Sequence, residues 1–89
     1  MNFAWDSRKA ATNARKHGVT FDEAATVYAD PLALAVQDEV HAERTVLIGM
    51  SEQHRVLLVV HVELDEDTIR LVSARRATSH ERRRYEEGP

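Results

Sequence analysis

Arg75 and Arg76 stand side by side at the end of an alternating strand pattern, and Arg82, Arg83 and Arg84 follow within the next eight residues. Guanidinium forks match phosphate oxygens two bonds at a time, so a cluster of this kind points to an anionic, phosphate-bearing partner. Groups able to move protons stand elsewhere in the chain. His17 follows Lys16, His61 lies two residues from Glu63, and Tyr85 closes the arginine run. An imidazole with an ordinary pKa near 6.5 suits acid–base work at neutral pH.

Each of these residues also has a plain structural reading. Lys16 and His17 close a helical segment, where cations complement the helix dipole. His61 and Glu63 would share one face of a strand and could simply satisfy each other. Arg76 could form an ordinary salt bridge, on the opposite face from Arg75 if the strand runs on. Tyr85 is the only bulky apolar side chain in its segment and could serve as its anchor. Trp5 reads as core rather than as a platform for a base.

Charge is segregated along the chain. The whole is net −3, from 12 Lys+Arg and 15 Asp+Glu. Residues 1–20 hold four bases and one acid, residues 21–67 two bases and eleven acids, and residues 68–89 six bases and three acids. Such an arrangement speaks of partners and fields rather than of fold. It suggests that the two ends converge on one basic surface for nucleic acid, since non-specific binding rests on clustered Lys and Arg. The alternative is two solvated basic helices beside an acidic sheet edge.

The bulk numbers narrow the field. Eighty-nine residues make a single domain, 1–89, with one modest core. Cysteine is absent, which removes disulfides and thiolate chemistry. The histidines lack metal-ligand spacing, the acidic clusters lack a calcium-loop pattern, and no phosphate loop or dinucleotide fingerprint is present, so no metal and no cofactor is expected. The start of the chain has no apolar signal region, and Val56–Val60 is far short of a membrane span. A soluble, cytoplasmic protein is expected.

The elements that must position these side chains follow from caps and periodicity. Asp6 caps a helix over Ser7–Lys16, with Ala10, Ala11 and Ala14 turned inward and Gly18 as its stop. Thr20 and Glu23 form a capping box for a helix over Phe21–Ala29, whose Phe21, Ala24, Ala25 and Tyr28 make an apolar stripe. Asp30-Pro31 ends it. Strands follow around Leu32–Val36, over Arg44–Met50, Arg55–Glu63 and Thr68–Ala74, with Val56–Val62 apolar on both faces as the central one. Thr78, three residues before Glu81, forms a second capping box for a last helix that shows almost no apolar stripe. The order ααββββα predicts an α+β fold with a four-stranded antiparallel sheet packed by helices.

The phrases FAWDSRKAATNARKHGVTFDEAATVYADP and IRLVSARRATSHERRRYEE resemble the opening and closing motifs of the BrnT toxins, in order and at the expected separation. The resemblance covers nearly the whole chain. It implies a RelE-like fold and a ribonuclease toxin of a type II toxin–antitoxin system, which cleaves RNA and blocks translation. It further implies a cognate BrnA-like antitoxin with a ribbon-helix-helix domain, a hetero-oligomer with that antitoxin, and contact with operator DNA only through it. RNA cleavage without metal needs a base for the 2′-hydroxyl proton, cations for the crowded phosphorus, and an acid for the leaving 5′-oxygen. Arg75 falls at the SAR position of the motif and is the first candidate for phosphate stabilisation. His17, His61, Glu63 and Tyr85 complete the candidate catalytic set, and Lys16, Arg76, Arg82 and Arg83 are candidates for holding RNA. One position departs from the family: an arginine often follows a Thr-Glu pair at the end of the third strand, where this chain has Leu64. A non-catalytic module docking its basic last helix on nucleic acid or protein is the alternative reading, and a DNA-binding repressor a more distant one.

Overall fold

Asp6 opens the first helix as the sequence predicts, accepting the backbone N–H groups of Arg8 (2.9 Å) and Lys9 (3.1 Å). In the computed structural model, which describes all of residues 1–89, that helix, α1, spans Ser7–His17 and stops at Gly18 in the left-handed region, φ 70°. A short helix, α2, covers Phe21–Thr26 and tightens into a 3-10 turn over Val27–Ala29 instead of continuing as one helix. The strands are β1 (Asn2–Ala4), β2 (Leu34–Gln37), β3 (Arg44–Met50), β4 (Val56–Glu63) and β5 (Thr68–Arg76), and α3 (Ser79–Glu87) ends the chain.

The sheet has five strands, not four, in the order β1-β5-β4-β3-β2. The strands from β2 to β5 form the expected antiparallel meander, with β4 at the centre. The addition is β1, which pairs in parallel with Thr68–Arg70 on the outer edge of β5, so the sheet is mixed. Three residues carry too little periodicity to announce a strand.

Directly paired residues project to one face of a sheet. Leu57 and Val59 point to the face covered by α1 and α2, where they join Val19, Phe21, Ala24, Val27, Ile69, Leu71 and Ala74 in the core. Trp5 packs against that core, edge-on to Phe21 at 5.9 Å between ring centres. Gly49, paired with Leu57, lets the 3-10 turn come close: a β-carbon there would stand 2.8 Å from Val27 Cγ1.

Register on β5 is decided by one extra residue. Pairing passes from Val60↔Ser73 to His61↔Leu71, which leaves Val72 as a β-bulge. Leu71 and Ala74, three apart, therefore both face the core. A regular strand would have placed Leu71, Ser73 and Arg75 together. The bulge turns Ser73 and Arg75 to the opposite face, the side on which α3 lies.

Two local expectations are corrected. Ala11 is exposed, and the buried residue of α1 is Asn13. Its Nδ2 donates to the carbonyls of Ala74 (2.8 Å) and Val19 (3.0 Å), and its Oδ1 accepts the N–H of Ala74 (3.1 Å). The capping box at Thr20 is half-formed. Thr20 accepts the N–H of Glu23 at 3.0 Å, but the Glu23 carboxylate turns away to Arg55 and Ser51. A buried carboxylate gains more from a guanidinium and a hydroxyl than from one backbone N–H.

Candidate active site

β5 runs on through Arg76, so Arg75 and Arg76 fall on opposite faces, opposite Leu58 and Leu57. Arg76 is exposed and lies within 4 Å of no carboxylate. Arg75 meets Glu81 of α3 in a two-pronged ion pair, Nη1 to Oε1 at 2.8 Å and Nη2 to Oε2 at 2.9 Å. Its Nη1 also donates to the Arg76 carbonyl at 3.2 Å. Glu81 can serve because the capping box predicted at Thr78 is complete and fixes its place in the first turn.

This corner has a defined electrostatic state. The Arg75 guanidinium, joined by Thr78, pulls the Glu81 carboxyl down to about 2, and Glu81 in turn raises Arg75 above its usual range. A guanidinium has five N–H groups. Three of those on Arg75 are spent on Glu81 and Arg76. The Nε–H and the second Nη2–H, which together form its side edge, have no protein partner. The side chain is 38 % exposed and its unpartnered Nε is not buried, so this edge reaches solvent at the Nε end. It is a two-toothed donor held in one orientation and open to a phosphate.

Tyr85 lies one turn beyond Glu81 on α3. Its hydroxyl donates to Asp30 Oδ2 at 2.6 Å, which anchors the helix. Asp30 also accepts the N–H groups of Met50 (2.8 Å) and Leu32 (2.9 Å). The bond to Asp30, with burial, pushes the Tyr85 phenol up to about 12. Arg82 and Arg83 are exposed and unpaired.

His61 and Glu63 do not pair. His61 is 7 % exposed on the core face, with Nδ1 2.6 Å from the Tyr28 hydroxyl, while Glu63 lies exposed at the far end of β4. Burial holds the His61 imidazole below its usual pKa, against the pull of Glu63. The position opposite Arg75 is Leu58, five residues before Glu63, or roughly 16 Å along the strand. Both residues are therefore remote from Arg75, with His61 on the other face. Leu64 is half exposed just beyond Glu63.

His17 and Lys16 lie elsewhere, in a groove of about 330 Å³ between α1 and β5 that also takes in Arg8, Lys9, Thr12 and Ser73. Ser73 is two residues before Arg75 on the same face, roughly 7 Å along the strand. His17 and Lys16 thus share a groove with Ser73 at the edge of the sheet, but Arg75 does not line it and its side chain leaves the opposite face from α1. No three His, Asp or Glu side chains are gathered as metal ligands.

Two groups central to this region escape a reading of the sequence. Asn13 looks like one polar residue among several on a helix. Its amide in fact holds the outer edge of β5 just before Arg75, where β1 no longer pairs. Glu23 looks like a cap residue, but it is buried and binds Arg55 Nε and Nη2 and, at 2.7 Å, Ser51 Oγ. Arg55 adds a bond to the Gly18 carbonyl at 3.1 Å and so fixes the end of α1 that carries His17. An arginine at the start of an apolar strand, where a charge must find a partner, was the available signal.

Comparison with known proteins agrees with this architecture. A family model described as the ribonuclease toxin BrnT of type II toxin–antitoxin systems matches residues 5–81. No curated protein matches the chain. Among solved structures, the crystal structure of the Brucella abortus ribonuclease toxin BrnT matches with a TM-score of 0.73 and 23 % identity, over 89 % of this chain and 99 % of that one. At that identity the likeness is one of fold.

Proposed function

The chain belongs to the BrnT family of ribonuclease toxins of type II toxin–antitoxin systems, and from that premise we propose that it cleaves RNA without a metal ion, using Arg75 to stabilise the phosphorus under attack. The observation that carries this reading is the open side edge of Arg75, held in place by Glu81. A donor fixed before the reaction stabilises charge developing in the transition state without reorganising, and removing one such donor costs about 10²–10³-fold in rate.

The remaining roles follow from position. His17, half-buried at the end of α1, is the candidate for proton transfer at the 2′-hydroxyl or the leaving 5′-oxygen, and Lys16 beside it holds a neighbouring phosphate. Arg76, Arg82 and Arg83 add exposed positive charge around the same strand end. Tyr85 acts on this site by anchoring α3 through Asp30. His61 and Glu63 have no place in the reaction on this geometry. Translation arrest in the cytoplasm follows from loss of RNA. The neutralising partner is a BrnA-like ribbon-helix-helix antitoxin, which covers the arginines and carries any contact with operator DNA.

Inducing the gene alone in a bacterium, beside an Arg75→Ala control, tests the reading. Growth arrest with RNA loss for the wild type and neither for the variant is the expected result. Arrest in neither strain favours a non-catalytic interaction module and overturns the enzymatic reading.

A further inference from the structure

The outer face of α1 carries charge in a place that helix stability disfavours. Arg8 and Lys9 occupy its first turn, which holds no acidic residue, although the positive end of the helix dipole repels cations there. The N-terminal N–H groups are already taken by Asp6, so the side chains rather than the helix end are what this surface offers. Neither Arg8 nor Lys9 forms an ion pair, nor does Lys16, in a chain with more acids than bases. Lys9 and Arg70 both act on Asp6, which places the Arg70 charge at the same end of the helix.

These cations line a groove rather than a bare surface. Arg8, Lys9, Thr12 and Lys16 form one wall and Ser73 lies on the other, with Val72 the only apolar side chain. Lys9 and Lys16 are roughly 10 Å apart along the helix axis. A protein partner calls for an apolar centre to its interface, and this groove has none. A hydrated polyanion suits it better, because phosphate contacts come from Lys, Arg and hydroxyl side chains.

Resting on the ribonuclease reading above, we propose that the groove between α1 and β5 is a track for the backbone of single-stranded RNA. Arg8 and Lys9 hold phosphates of the strand whose cleaved phosphate lies at Arg75, and Ser73 marks the passage from one to the other. The cations are kept at the unfavourable end of α1 because the ligand requires them there.

The test is the salt dependence of binding to a fully 2′-O-methylated single-stranded oligonucleotide, which cannot be cut, for the wild type and Arg8→Gln/Lys9→Gln. Each phosphate contact on a single strand contributes about 0.7 to the slope of log K against log salt. The double variant should lower the slope by about 1.4. Between 50 and 200 mM salt, the wild type should lose about seven-fold more affinity than the variant. Its melting temperature should change little, since relief at the positive end of the helix is offset by the lost attraction of Lys9 to Asp6. An unchanged slope overturns the track. An unchanged slope with weakened antitoxin capture also overturns it and gives the groove to protein. Binding is read apart from cleavage, so a lowered slope in a protein that cuts no RNA leaves the track standing and removes only the enzymatic reading. An unchanged slope in a protein that does cut RNA has the reverse meaning.

Discussion

Asn13 holds Ala74 by both of its backbone groups, donating to its carbonyl at 2.8 Å and accepting its N–H at 3.1 Å. This single amide does at the edge of β5 what a neighbouring strand would do, because β1 pairs only as far as Arg70. Arg75 is the next residue, so its position depends on a contact made by α1.

Asn13→Ala should therefore be costly. It leaves the Ala74 N–H and two carbonyls unpaired, and each unsatisfied buried group costs about 1–3 kcal/mol. Water reaching the edge will recover part of that, so a loss of about 2–4 kcal/mol is expected in urea unfolding. Asn13→Asp keeps the acceptor and should recover only the Ala74 N–H bond. A loss under 0.5 kcal/mol for Asn13→Ala would show that the edge does not rely on this side chain.

Glu81→Gln should separate positioning from chemistry. Glutamine can still cap α3 and can keep one bond to Arg75, but it loses the charge and one prong. With Arg75 less firmly aimed, kcat should fall by about 10-fold and KM should change little, a loss confined to the transition state. Arg75→Lys, with no side edge to offer, should fall nearly as far as Arg75→Ala. Single-turnover cleavage of a short RNA reads both. A rise in KM with kcat intact would give Glu81 a role in binding instead.

What the sequence made legible is what local chemistry decides. The Thr78–Glu81 box, the Asp6 cap and the Gly18 stop each involve residues within a few positions of one another, and each is present. The bounds of β3, Arg44–Met50, are those read from its own short apolar run. The rest depends on partners far along the chain. β1 exists only because Thr68–Arg70 is there to pair with it. Glu23 leaves its cap because folding brings Arg55 to it, and His61 turns from Glu63 to Tyr28 for the same reason. The Val72 bulge is the clearest case. Residues 68–74 read as regular alternation, yet one unpaired residue decides which face Arg75 occupies, and with it the neighbours of the candidate site.

Acid should weaken the Arg75–Glu81 corner in a defined window. Glu81 titrates at about 2 in the folded chain against an ordinary 4.5. The unfolded chain then binds the proton more readily, so this contribution is complete above about pH 4.5 and is lost as pH falls toward 2. The two side chains are 38 % and 21 % exposed, and solvent screening reduces the contribution to about 1–2 kcal/mol. Glu81→Gln should flatten the fall in stability between pH 5 and 2 by that amount. Asp6, Glu23, Asp30 and Asp38, all held below the usual carboxylate range, will supply the slope that remains. Urea midpoints across that range, identical in slope for the two proteins, would show that the pair contributes nothing.

The last helix should open before the rest of the fold. No residue of α3 is buried. It is held by Glu81 at one end, by the Tyr85 bond to Asp30 one turn on, and by the ring of Tyr85, whose burial contributes about 1.5–3 kcal/mol at most. Ordering its residues costs about 1–2 kcal/mol apiece, so the balance is close, and a partner that binds one state can shift it. Tyr85→Phe keeps the ring and removes the bond, which should loosen α3 by about 1 kcal/mol and leave the protection of Val56–Val62 unchanged. Amide hydrogen exchange on the free protein decides the matter. If residues 80–86 exchange as slowly as the central strand, α3 opens only with global unfolding, and a partner has no separate equilibrium there to act on.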